Sequence, residues 1–114
     1  MKAELLGTTR ENAPLAEEIM GHELWTKLDT AGKWHLVAEI EYVDAKGRHK
    51  HMRIQPCSIR QHSNTGNLLL YCLDQDLIDD EDGDILPWES PTIDGILSVT
   101  VTDQEYDPVT NYDW

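Results

Sequence analysis

Residues 34–56, WHLVAEIEYVDAKGRHKHMRIQP, decide how the chain folds. Trp34, Leu36, Ala38, Ile40 and Tyr42 alternate with His35, Val37, Glu39, Glu41 and Val43, a period of two that predicts a half-buried strand. Asp44-Ala45-Lys46-Gly47 then supplies a hairpin connection with a glycine available for positive φ. The return strand runs from about Arg48 to Gln55, with Met52 and Ile54 on one face and His49, His51 and Arg53 on the other. Pro56 has no N–H to give to a ladder, so the strand is expected to end there or to lie at an edge.

Downstream, Ser63-Asn64-Thr65-Gly66-Asn67 reads as a turn and Leu68 to Leu73 as a buried strand. An acidic loop from Asp74 to Asp84 follows, then a short strand near Pro91–Ile93. Leu97, Val99 and Val101, alternating with Ser98, Thr100 and Thr102, predict the last strand. Upstream, Asn12 before Ala13-Pro14 reads as a helix cap, with Glu17 and Glu18 near its positive end. The apolar band of Leu15, Ile19, Met20, Leu24, Trp25 and Leu28 extends this helical segment over 12–30. Gly21 is a candidate break within it, and Thr30-Ala31-Gly32 a stop. The 114 residues therefore suit one domain: a helical segment, strands over 34–103, and an acidic, aromatic tail over 104–114. One or two helices followed by about five short strands predict a mainly β domain, a small barrel closed to avoid exposed edges.

The net charge is −13, and its distribution is uneven. Residues 35–62 carry five Lys/Arg against three acids, whereas 63–114 carry thirteen acids and no Lys or Arg. Two cysteines, Cys57 and Cys72, sit among apolar neighbours and read as buried thiols of a reducing cytoplasm rather than a disulfide framework. No segment reaches the roughly 18 apolar residues of a membrane span, and the first residues do not read as a signal peptide.

The strand region from about Val37 to Asp103 resembles the WYL family of bacterial regulatory domains. The resemblance rests on Ile40-Glu41-Tyr42, Gly47, Ile54-Gln55-Pro56 and Ile59. It continues through Gly66, Asp74, Ile93-Asp94-Gly95-Ile96 and Ser98-Val99-Thr100-Val101. It implies an SH3-like or Sm-like five-stranded barrel. The family's Trp-Tyr-Leu triplet falls on Leu68-Leu69-Leu70, however, and its late arginines fall on Thr92 and Gly95. The groups that the resemblance associates with nucleic acid or nucleotide-like ligands are thus missing. The family's frequent helix-turn-helix is absent too, and residues 1–34 are too few and too weakly basic to read DNA.

No residue set carries catalysis. Neither cysteine has a base arranged with it, no serine sits in a nucleophile elbow, and there is no glycine-rich phosphate loop. No cofactor or metal is expected: His49, His51 and Cys57 fall short of a zinc set. Residues 78–89 miss a calcium loop because Ile78 holds the first ligand position and Pro87 sits late. The leading expectation is a regulatory or adaptor module that meets a basic protein through Asp79, Asp80, Asp82, Asp84, Trp88, Tyr112 and Trp114. Carboxylates would steer the partner and the rings would hold it. Direct nucleic-acid and membrane binding are not expected, and the sequence specifies no oligomeric state. Two alternatives share the same composition. One is a phage- or mobile-element inhibitor that imitates nucleic acid toward a host defence enzyme. The other is a nucleotide or oligonucleotide sensor using His49, His51, Arg53, Arg60 and Tyr71.

Overall fold

A computed structural model of the chain describes residues 4–80, 86–108 and 112–114. The elements run β1 (Leu5–Leu6), α1 (Thr9–Met20), α2 (His22–Trp34), β2 (Leu36–Val43), β3 (His49–His62) and β4 (Leu68–Asp74). They continue with α3 (Gln75–Asp80), β5 (Trp88–Glu89), a 3₁₀ turn (Ile93–Gly95) and β6 (Ile96–Glu105). The strands form one six-stranded antiparallel sheet ordered β5-β4-β3-β2-β6, with β1 added to β3. Among the described residues no helix is long and apolar enough to cross a membrane.

The helical segment begins earlier than its proline suggests. Thr8, not Asn12, caps α1, its Oγ1 accepting from the Glu11 amide at 3.4 Å. Asn12 is buried instead, and its Nδ2 donates to the carbonyls of Leu6 (3.2 Å) and Ile59 (2.9 Å). Gly21, at φ +91°, does divide α1 from α2. Gly32 does not stop α2, which runs on to Trp34 and closes at His35 in the left-handed region (φ 52°). The reason for that glycine is tertiary. A Cβ on Gly32 would lie 2.2 Å from Cδ2 of Trp114, which packs directly over the helix backbone. Trp34 is consequently the last helical residue, 72% exposed, and not the first of a strand face.

The hairpin forms as its alternation predicts, with Ala38 opposite Ile54 and Ile40 opposite Met52. Asp44 accepts from the amides of Lys46 and Arg48, both at 2.9 Å, and Gly47 takes φ +78°. β3, however, does not end at Pro56. It continues to His62, passing a bulge between Pro56 and Ser58 that absorbs Cys57. Its first half pairs with β2 and its second with β4, from Ile54 opposite Asp74 to Gln61 opposite Leu68. A second irregularity, where β6 passes Glu41 and Tyr42, leaves Leu97 unpaired. Leu97 turns outward at 48% exposure, and Ile96 (5%) takes its place in the core with Val99.

The strand expected near Pro91–Ile93 is displaced: β5 lies at Trp88–Glu89, Thr92 bridges Leu69, and a 3₁₀ turn follows. The acidic loop opens as α3, while Asp82 and Asp84 lie outside the described residues. Pro87 and Pro91 bracket β5 and confine it to two residues. β5 and β6 stand at opposite ends of the sheet and do not pair, so the sheet is open where a closed barrel was expected.

α1 and α2 cover one face of the sheet. Ala16, Trp25, Leu28 and Ala31 meet Ile40, Ile54, Ile59 and Leu70 in a single core. The tail also docks. Trp114 stacks on Trp25, with ring centroids 5.9 Å apart, and its Nε1 donates to Asp29 at 3.0 Å. Replacing Trp114 with Ala should cost about 3 kcal/mol in urea unfolding. Gly32→Ala alone should cost about 1–3 kcal/mol by overpacking. In the Trp114→Ala background the same glycine change should instead be neutral or gain up to about 1 kcal/mol of helix propensity.

Candidate functional site

The acids of the second half gather where β4 runs into α3. Asp74 ends the strand and its Oδ1 accepts from the amides of Asp76 (3.0 Å) and Leu77 (3.3 Å), which starts the helix. That turn directs Asp76 and Asp79 toward β3, where Arg53 Nη1 meets them at 2.6 and 3.6 Å. Arg53 Nη2 donates to Gln104 of β6, so one guanidinium ties three elements together. Its pKa is raised, first by the hydrogen bond to Asp76.

Behind this pair runs a buried amide chain. Tyr112 OH donates to Gln55 Oε1, Gln55 Nε2 to Gln75 Oε1 (2.7 Å) and Gln75 Nε2 to Asp79 Oδ1 (2.9 Å). Each amide group in that chain is matched by direction, as burial requires. On the neighbouring strand Trp88 rests against Tyr71 with centroids 5.6 Å apart, yet keeps 43% of its surface exposed. Leu77 on α3 is 47% exposed. The region therefore carries two exposed apolar side chains with the carboxylates of Asp74, Asp76 and Asp79, while Glu89 points to the other face of the sheet, beside Tyr42 and Lys50.

The expected partner-binding residues separate into three groups. Asp79, Asp80 and Trp88 belong to this corner. Asp82 and Asp84 lie outside the described residues. Tyr112 and Trp114 are held by the domain itself, through Gln55 and through Trp25 and Asp29. Tyr112 meets His35 and Tyr106 at centroid distances of 5.9 Å each. Between the two rings, Asp113 accepts from Thr9 Oγ1 at 3.0 Å and pairs with Arg60.

The alternative anion set does not converge. Arg60 is engaged by Ser58 Oγ (2.7 Å), the Gly7 carbonyl and Asp113. Arg53 is engaged by Asp76, and seven residues of strand, roughly 20 Å at the usual rise, separate the two arginines. His49 and His51 are exposed near the hairpin end, while Tyr71 faces Trp88. Sequence reading missed Thr9, Asn12, Gln55 and Gln75, all buried and all bonded. Gln55 falls on the same period-two face as the exposed His51 and the half-buried Arg53, so nothing local marks it as an interior residue.

Both cysteines are free and buried. Burial pushes the Cys57 thiol up to about 12, and Cys72 rises for the same reason. Neither is a thiolate nucleophile near neutral pH. Among the described residues no three His, Cys, Asp or Glu side chains gather as a metal site. No family model matches the chain, and no curated protein or solved structure matches it. Function must therefore be argued from the residues.

The tail and its cysteine neighbour have a pH signature. Tyr106 and Tyr112 are raised by burial, Tyr112 also by its contact with Cys57. Groups whose folded pKa lies above the unfolded value stabilise fully below the latter and lose that contribution as pH rises toward the former. Stability should hold through neutrality and fall from about pH 9 upward as the buried thiols and phenols ionise on unfolding. Denaturant titrations across that range read the decline, and Cys57→Ala should shrink it. A thiol reagent at about pH 8 should leave the folded chain unlabelled.

Proposed function

We propose that the chain is a non-catalytic regulatory or adaptor module that binds a basic protein at the corner formed by α3 and β5. The observation that carries this is a pairing of opposites. Trp88 on β5 and Leu77 on α3 are exposed in the region where β4 passes into α3 with Asp74, Asp76 and Asp79, and Arg53 is ion-paired to two of those carboxylates. Apolar anchors ringed by one sign of charge supply affinity and steering together. Asp80, Asp82 and Asp84 add charge of the same sign to that segment. The nucleotide-sensor alternative draws less support, because Arg53 and Arg60 already bond carboxylates of this chain.

The fold reading goes with it: an open relative of the small SH3-like barrel that the WYL resemblance implies. The sheet order supports this, since β6 returns beside β2 and a 3₁₀ turn precedes it. Capture from a lysate of the encoding organism, followed by binding kinetics with the captured protein, tests the function. Asn at Asp80, Asp82 and Asp84 leaves Asp76 and Asp79 to hold Arg53. It should slow association roughly tenfold and flatten its salt dependence. Trp88→Ala should cost about 2 kcal/mol or more, chiefly in dissociation. A partner bound equally well by both variants, or one with an acidic contact surface, removes the proposal.

A further inference from the structure

A second site lies in a cleft of about 330 Å³ between α1, α2 and Trp114. That volume falls within the range of small-ligand pockets. Its apolar wall is Ala13 with the stacked indoles of Trp25 and Trp114, inclined by 19°. Its rim carries Arg10 and Lys33. The one carboxylate present, Asp29, is already engaged through both oxygens: Oδ1 accepts from Trp114 Nε1 and Oδ2 pairs with Lys33, each at 3.0 Å.

Arg10 differs from most cations of this chain. Lys27, Lys33, Arg48, Lys50, Arg53 and Arg60 each lie within ion-pair distance of a carboxylate. Among the described residues Arg10 has no such partner, and neither does Lys46, which stands in an exposed turn. A molecule of net charge −13 thus keeps two cationic side chains against one acidic side chain at the mouth of an aromatic cavity. The long-range repulsion of the remaining acids is screened beyond about 8 Å at physiological ionic strength. A small ligand feels chiefly the local groups, whereas a polyanion would meet the whole field.

We propose that this cleft binds a small planar aromatic anion, a single-ring carboxylate lying against the indoles with its charge on Arg10 and Lys33. Aromatic rings favour stacked or edge contacts with such a plane, and a guanidinium receives a carboxylate through two parallel N–H donors. The cleft shares no residue with the acidic corner, and its occupancy needs no protein partner there.

The test follows the indole N–H signals of the intact chain, four in all (Trp25, Trp34, Trp88 and Trp114), during titration to about 20 mM. The probes are benzoate, neutral benzamide and acetate. Benzoate should shift the Trp25 and Trp114 signals saturably and leave Trp34 and Trp88 in place. Arg10→Ala, a change at an exposed position, should weaken benzoate roughly fivefold or more and leave benzamide unchanged. Ala13→Leu, which fills the cleft, should abolish both. Three results would overturn the proposal: no saturable response to benzoate, the same response to acetate, or unaltered benzoate binding by Arg10→Ala.

Discussion

Beyond Ile54, β3 runs on without β2 beside it, and the backbone groups along that edge need partners from elsewhere. They come from both ends of the sequence. Thr9 Oγ1 accepts from the Ile59 amide at 2.8 Å, and Asn12 donates to the Ile59 carbonyl. The Asp113 amide donates to the Cys57 carbonyl at 3.2 Å, and Tyr106 OH to that of Pro56 at the same distance. Arg60 joins the two suppliers, bonding the Gly7 carbonyl on one side and Asp113 on the other. Residues some hundred positions apart are fastened to one strand edge, so the helices, the sheet and the closing segment stand or fall together. Edge groups left bare would invite pairing with other chains.

The same economy governs charge. Six of the nine Lys and Arg are held by carboxylates of this chain, several of them tying separate elements: Arg53 joins β3 to α3 and β6, and Arg60 joins β3 to residue 113. The cations therefore work inside the fold, and the acids in excess face outward. A basic region in the sequence does not become a basic face when its arginines are consumed by intramolecular pairs. This is why the anion-binding set read from His49, His51, Arg53, Arg60 and Tyr71 disperses, while the acidic corner survives as a surface.

Much of the fold was legible where the signal was local. The alternation of Ala38, Ile40 and Tyr42, the Asp44–Gly47 turn, the Leu68–Leu73 run and the break at Gly21 all depend on neighbours a few residues away. Four other readings are altered, wholly or in part, for one shared reason. Gly32 was taken as a helix stop, but it makes room for Trp114. Pro56 reads as a strand end or an edge residue; it does lie on the edge that β3 exposes beyond Ile54, but a bulge and Tyr106 keep it within the strand. The alternation sets Leu97 on one face with Val99 and Val101, but a register shift of β6 against β2 turns Leu97 outward and buries Ile96. Tyr112 and Trp114 were offered to a partner, but Gln55 and Trp25 hold them. In each case a residue's role is set by a contact with a distant segment.

The sequence by itself determined a mainly β domain with one or two helices at its start, a hairpin with a defined turn, and an excess of negative charge confined to its second half. Periodicity, turn chemistry and composition are properties of neighbouring residues, and they carry that much without a fold. The tertiary structure decided the length and bending of β3, the open sheet, the burial of Gln55 and Gln75, and the cleft beneath Trp114. It also decided which charges remain for partners. Those outcomes depend on which groups meet across the chain, and an ion pair between residues 60 and 113 or a ring over Gly32 leaves no trace in the spacing of either segment.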